Sequence, residues 1–102
     1  MAQIQFEYDG KHITLEFTRN SIKKMEARGF EFDKLSKMPV TMISKFFEGS
    51  LIEHHPEIRD RDAEKIFDSM DNKEALLEEL IKMFGEAQDS LMKKGNLSWT
   101  RT

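Results

Sequence analysis

The densest group of side chains able to ligate a metal or move a proton lies in the stretch EHHPEIRDRD, which holds His54, His55, Glu57, Asp60 and Asp62. Their spacing argues against a site. Adjacent histidines on a helix point about 100° apart, whereas a helical zinc pattern places two histidines one turn apart around a glutamate. The acidic run lacks the turn glycine and the distant glutamate of a calcium loop. The stretch reads as a solvated helix end followed by a capping aspartate. Ser21, Ser44, Ser50, Ser69, Ser90 and Ser98 sit in helix or tail contexts, none of them a strand-to-helix elbow with flanking glycines. No glycine-rich phosphate loop occurs, and the absence of cysteine removes thiolate chemistry and disulfides. No catalytic, cofactor or metal residue is therefore assigned. The chain is expected to bind rather than to catalyse.

Composition agrees with one modest core. At 102 residues the chain is one domain's worth, and 38% hydrophobic residues with eight phenylalanines and seven methionines suffice to fill it. The formal charge of −3 arises from 16 basic and 19 acidic residues dispersed along the chain, without the basic stripe of a nucleic-acid binder. The N-terminus alternates polar and apolar residues instead of opening a signal peptide. No segment approaches the ~18 apolar residues of a membrane span. A cytoplasmic location is expected, with neither nucleic acid nor membrane as partner.

The elements that must carry any binding surface begin with a hairpin. In IQFEYDGKHITLEF, apolar residues alternate on both sides of Asp9-Gly10, a pair suited to a two-residue type I′ turn. That turn sets Tyr8 against Lys11, Phe6 against Ile13 and Ile4 against Leu15, with the apolar side chains on one face. A lone hairpin is marginal in water, so this face needs cover. Asn20 or Thr18 can cap a first helix ending at Gly29, and after an irregular stretch Pro39 is expected to close off regular structure. Thr41 can cap a second helix that Pro56 ends. Within it Gly49 costs about 1 kcal/mol relative to alanine and marks a close helix approach or a weak point. Asp60 or Asp62 starts a third helix, and Asn72 a fourth. The expectation is an α+β fold. A β-hairpin over 3–17 packs on about four helices, at about 20–28, 41–55, 62–70 and 72–93, in a single domain 1–92 with a flexible polar tail 93–102.

The fourth helix is apolar around more of its circumference than one domain requires. With Leu76 at zero and 100° per residue, Leu76, Leu77, Leu80, Met83, Phe84, Ala87 and Leu91 form a continuous arc, which Ile81 and Met92 extend to half the circumference. The surplus residues Leu77, Ile81 and Met92 are candidates for a partner surface, as is Phe47 of the second helix. The tail MKKGNLSWTRT holds the chain's one tryptophan, Trp99. It is expected to fold back beside the hairpin in the isolated protein and to anchor a partner during assembly.

Taken in order, IQFEYDGKHITLEFTRNSIKKMEARGF, MPVTMISKFFEGSLIEHH, IFDSMDNKEALLEELIKMF and GNLSWT resemble the small tail assembly chaperones of long-tailed bacteriophages and related prophages. The resemblance covers almost the whole chain and rests on the order of segments. It implies a non-structural helper in the cytoplasm of the bacterial host, absent from the mature virion. Such a protein binds the tape measure protein, keeps its long apolar helices soluble and recruits major tail tube subunits. Self-association is compatible with that role. Many members gain a C-terminal extension by programmed ribosomal frameshifting, and Lys93-Lys94-Gly95 is a place where codons could form a slippery run. The alternative is a small phage or prophage regulatory protein that binds one protein partner stoichiometrically.

Overall fold

The computed structural model describes residues 2–102. Strands β1 (Ile4–Tyr8) and β2 (Lys11–Leu15) pair antiparallel in the register the turn demands, Ile4 with Leu15, Phe6 with Ile13 and Tyr8 with Lys11. Asp9 and Gly10 both adopt positive φ, 53° and 75°, as a type I′ turn requires. Four helices follow: α1 (Arg19–Ala27), α2 (Pro39–Leu51), α3 (Asp60–Ser69) and α4 (Lys73–Asp89). The α+β architecture is the one expected from the sequence.

The helix ends differ from the sequence expectation for identifiable reasons. Thr18, not Asn20, caps α1. Its side chain accepts from the Ser21 N–H while the Ser21 hydroxyl accepts from the Thr18 N–H, at 3.0 and 2.9 Å. Gly29 ends the helix region with φ 92°. Pro39 does not stop regular structure. It occupies the first turn of α2, where its fixed φ suits a helix and its missing N–H costs nothing, so the helix starts two residues before Thr41. That helix stops at Leu51 rather than at residue 55, because the following turn redirects His54 and His55 onto β2. Helix α3 begins at Asp60, ahead of Asp62. Asn72 caps α4 through its side-chain oxygen, which accepts from the Ala75 N–H. The helix gives way at Ser90 to one 3-10 turn (Ser90–Met92), and residues 93–102 carry no helix or strand.

Packing is organised around aromatic rings. Phe17, Phe30, Phe32, Phe46 and Phe84 form one cluster that joins the end of the hairpin, the α1–α2 loop, α2 and α4. Phe17 stacks on Phe46 at 5.1 Å, and Phe84 meets Phe17 edge-on at 5.3 Å. Phe30 stacks on Phe46 at 5.6 Å and Phe32 on Phe84 at 5.3 Å. Offset stacks and edge-to-face contacts at these distances add about 0.5–1.5 kcal/mol per pair beyond the area buried. Ile13, Leu15, Ile22, Met25, Met42, Leu51, Ile66, Leu80 and Met83 complete the core.

Gly49 is the close approach that its position in α2 suggested. A Cβ built there would fall inside contact distance of three Met25 side-chain atoms, and Met25 is itself buried. The Gly49→Ala variant gains about 1 kcal/mol of helix propensity. It must also displace a packed methionine, and overpacking costs about 1–3 kcal/mol. Thermal denaturation should therefore show a lower Tm for Gly49→Ala than for the wild type. Combining it with Met25→Ala should recover part of the loss, giving a non-additive double-mutant cycle.

Candidate binding surface

Two groups of side chains stand out, and the geometry separates their roles. The first is the histidine stretch. From the last turn of α2 onward, residues 50–57 run beside the outer edge of β2 and the residues that follow it, gripping them at successive positions. The Thr14 N–H donates to His55 Nε2 at 3.0 Å, and the Glu16 N–H donates to the Ser50 carbonyl at 2.9 Å. The Thr18 hydroxyl donates to the Glu53 carboxylate at 2.7 Å, and Lys11 pairs with Glu57 at 3.0 Å. The Glu16 carboxylate is buried and receives His54 Nε2 at 2.7 Å and the Gln3 amide at 3.0 Å.

These contacts assign the imidazoles to structure. His54 donates through Nε2, whereas His55 accepts there and must carry its proton on Nδ1. Burial pushes the His55 pKa below the ordinary histidine value, and Lys11, His54 and His12 act in the same direction against the opposing charge of Glu57. Burial alone would raise the Glu16 pKa. The hydrogen bonds from His54 and Gln3 and the charge of His54 outweigh it, so the carboxyl sits below its usual range. Among the described residues no three His, Asp or Glu side chains converge as a metal site. Every buried side-chain nitrogen and oxygen among them has a hydrogen-bond partner.

The second group is apolar and lies at least partly at the surface. Leu77 and Ile81 lie one turn apart on the same face of α4, Leu77 half-buried and Ile81 43% exposed. Met92 ends the 3-10 turn at 84% exposure, and Trp99 stands in the tail at 86%. The expected fold-back of Trp99 beside the hairpin is not what the structure shows. Lys93 leaves the Ser90–Met92 turn with extended backbone, and residues 93–102 form no element that would carry Trp99 back to the hairpin. Phe47 is a second correction. It is 1% exposed and packs on Phe67 at 5.2 Å in the α2–α3 interface, so it belongs to the core. Its place in a broad apolar arc of α2 gave no sign of which part of that arc faces inward.

Sequence reasoning missed Leu91, Leu97 and Val40. Leu91 was placed in the core arc of α4, but the helix ends before it and leaves it 64% exposed. Leu97 in the tail is 96% exposed. Leu91 also borders a hollow of about 510 Å³ between α1 and α4, whose apolar floor is Ile22 and Ala87. The signal for these residues was available in the glycine and lysines that follow Met92, which leave little to cover a neighbouring leucine. Val40 at the start of α2 is 86% exposed and lines a separate groove of about 370 Å³ with Ile43 and Phe67.

Compared with known proteins, the chain matches along residues 1–102 a family model described as a domain of unknown function, DUF5055. No curated protein and no solved structure matches it.

The grip on β2 should make the fold acid-sensitive in two stages. A histidine whose folded pKa lies below its unfolded value contributes stability above about 6.5, and that contribution is lost as pH falls through the folded pKa. The Glu16 contribution is present above about 4.5 and disappears at still lower pH. A Tm-versus-pH series should therefore fall first just below neutrality and again in the carboxylate range. His55→Gln keeps an acceptor without the titration and should flatten only the first stage. His55→Ala orphans the Thr14 N–H and should cost about 1–3 kcal/mol at pH 7.5.

Proposed function

We propose that this chain, which belongs to the DUF5055 family, is a tail assembly chaperone of a long-tailed bacteriophage or prophage. It acts without catalysis. It binds the tape measure protein, keeps that long helical chain soluble in the cytoplasm of the bacterial host, and recruits major tail tube subunits before leaving the finished particle. The order of sequence segments suggests the family. The observation that carries the reading is the set of large apolar side chains exposed together toward the C-terminus: Ile81, Leu91, Met92, Leu97 and Trp99.

An apolar set of this kind suits a helical partner. A helix laid against Leu77 and Ile81 would engage side chains one turn apart, the spacing of helix-in-groove contacts. Met92 adapts to irregular partners through its unbranched thioether, and Trp99 supplies a large aromatic surface on a segment outside the packed elements. The rest of α4 supports solubility, since Glu74, Glu78, Glu79, Lys82, Glu86 and Asp89 are all exposed. Several copies bound along one tape measure chain would present those charges outward. The Lys93-Lys94-Gly95 stretch, where an extension would branch off if the codons permit a frameshift, lies just after the last regular element.

Co-expression with a tape measure protein from the same genome, followed by size exclusion with mass determination, tests the reading. The expected product is a soluble complex with several copies of this chain per tape measure. A one-to-one complex with another protein would instead favour the stoichiometric regulator. Ile81→Ser, Met92→Ser and Trp99→Ala should each reduce the soluble tape measure severalfold while shifting the free protein's stability by less than about 0.5 kcal/mol, as exposed positions do. Phe47→Ala should do the reverse of a surface change and cost about 3–5 kcal/mol of stability.

A further inference from the structure

The two edges of the hairpin are treated differently. The N–H groups of Thr14 on β2 and of Glu16 just past its end point away from β1, because they donate to His55 and to Ser50. The intervening residues Ile13 and Leu15 must then face β1 and exchange hydrogen bonds with Phe6 and Ile4. It follows that Gln5 and Glu7 turn their N–H and C=O groups outward. Neither N–H finds a partner among the described residues. The β2 edge is closed and the β1 edge is open. The apolar row on β1 matches this asymmetry, for Ile4, Phe6 and Tyr8 are only half-buried whereas Ile13 and Leu15 are fully buried.

The geometry points to a second copy of this chain as the occupant of that edge, with β1 of each copy paired antiparallel about a two-fold axis at Phe6. In that register the strand is complementary to itself. Gln5 lies opposite Glu7 of the other copy, and because both present outward backbone groups they form the hydrogen-bonded pairs such a ladder needs. Phe6 faces its own equivalent at the close, non-hydrogen-bonded position, where aromatic pairs gain most. Ile4 faces Tyr8. The half-buried apolar rows merge into one, and the two hairpins become a four-stranded antiparallel sheet with the helices of both copies on one side. The cross-strand partners are compatible in charge, since each Glu7 meets an amide and not a second carboxylate.

This inference does not depend on the chaperone reading. Sedimentation or light scattering over a concentration series measures it, with variants at Gln5, an exposed residue whose N–H plays no part in the hairpin ladder. The wild type should show a monomer–dimer equilibrium. Gln5→Lys places two cations opposite the two Glu7 carboxylates and should tighten the dimer roughly three- to tenfold, and Gln5→Glu should weaken it by a similar factor. Gln5→Pro removes the outward donor at an edge position that tolerates proline and should leave a folded monomer. A wild type that stays monomeric to the highest soluble concentration overturns the proposal. So does a dimer whose affinity Gln5→Lys and Gln5→Glu fail to move in opposite directions.

Discussion

The structure depends on how the outer edge of β2 is closed. A hairpin of two five-residue strands offers too little buried surface to stand alone, and its unpaired edge groups would cost free energy if the helices merely covered them. The chain meets that constraint with residues 50–57, which supply a carbonyl, two imidazoles and two carboxylates to β2, to Glu16 just past it and to Thr18, which caps α1. Early departure of the chain from α2 is part of the same solution. A helix continued to residue 55 would aim His54 and His55 in directions 100° apart, and they could not both meet one strand. With the edge closed, Phe17 is held against the Phe46 and Phe84 rings, and the aromatic cluster can form.

Thr18 shows how tightly the local and tertiary terms are linked. Its hydroxyl accepts from the Ser21 N–H, starting α1, and donates to Glu53, anchoring the segment after α2. One hydroxyl thus fixes the exit of the hairpin and the entry of the first helix. Asn20, the other cap available to the sequence, lies two residues too late to do both.

Features set by neighbours in sequence were legible, and features set by distant partners were not. Alternation around Asp9-Gly10 specified the hairpin register because a slip of one residue would reverse every side chain. Gly49 announced a close approach without saying that Met25 would make it. Pro39 was ambiguous because proline both follows a break and begins a helix, and only the chain's need to bring Met42 and Phe46 inward decides between them. His54 and His55 resemble a solvated helix end in sequence because their partners, Glu16 and Thr14, lie 38 and 41 residues away. In the candidate surface, periodicity marked Ile81, which is 43% exposed, but did not show that Leu77 packs half-buried against the core. The burial of Phe47 and the exposure of Leu91 were not legible either, since the first turns on α3 packing over it and the second on where α4 itself ends.

Magnitudes also bear on what such a surface can do. Burying an exposed aliphatic or aromatic side chain stabilises a complex by about 1.5–3 kcal/mol. Association itself costs on the order of 4–15 kcal/mol before any of that is realised. A handful of side chains such as Ile81, Leu91, Met92 and Trp99 therefore supports weak, reversible binding by one copy. A regulator that must capture a single partner at low concentration needs more contact than this. A protein that coats a long chain does not, because copies held together raise one another's effective concentration and each can still be released in turn. For the chaperone proposed above, weakness per copy would be an advantage, since a coat that is displaced stepwise cannot be held by any single strong contact.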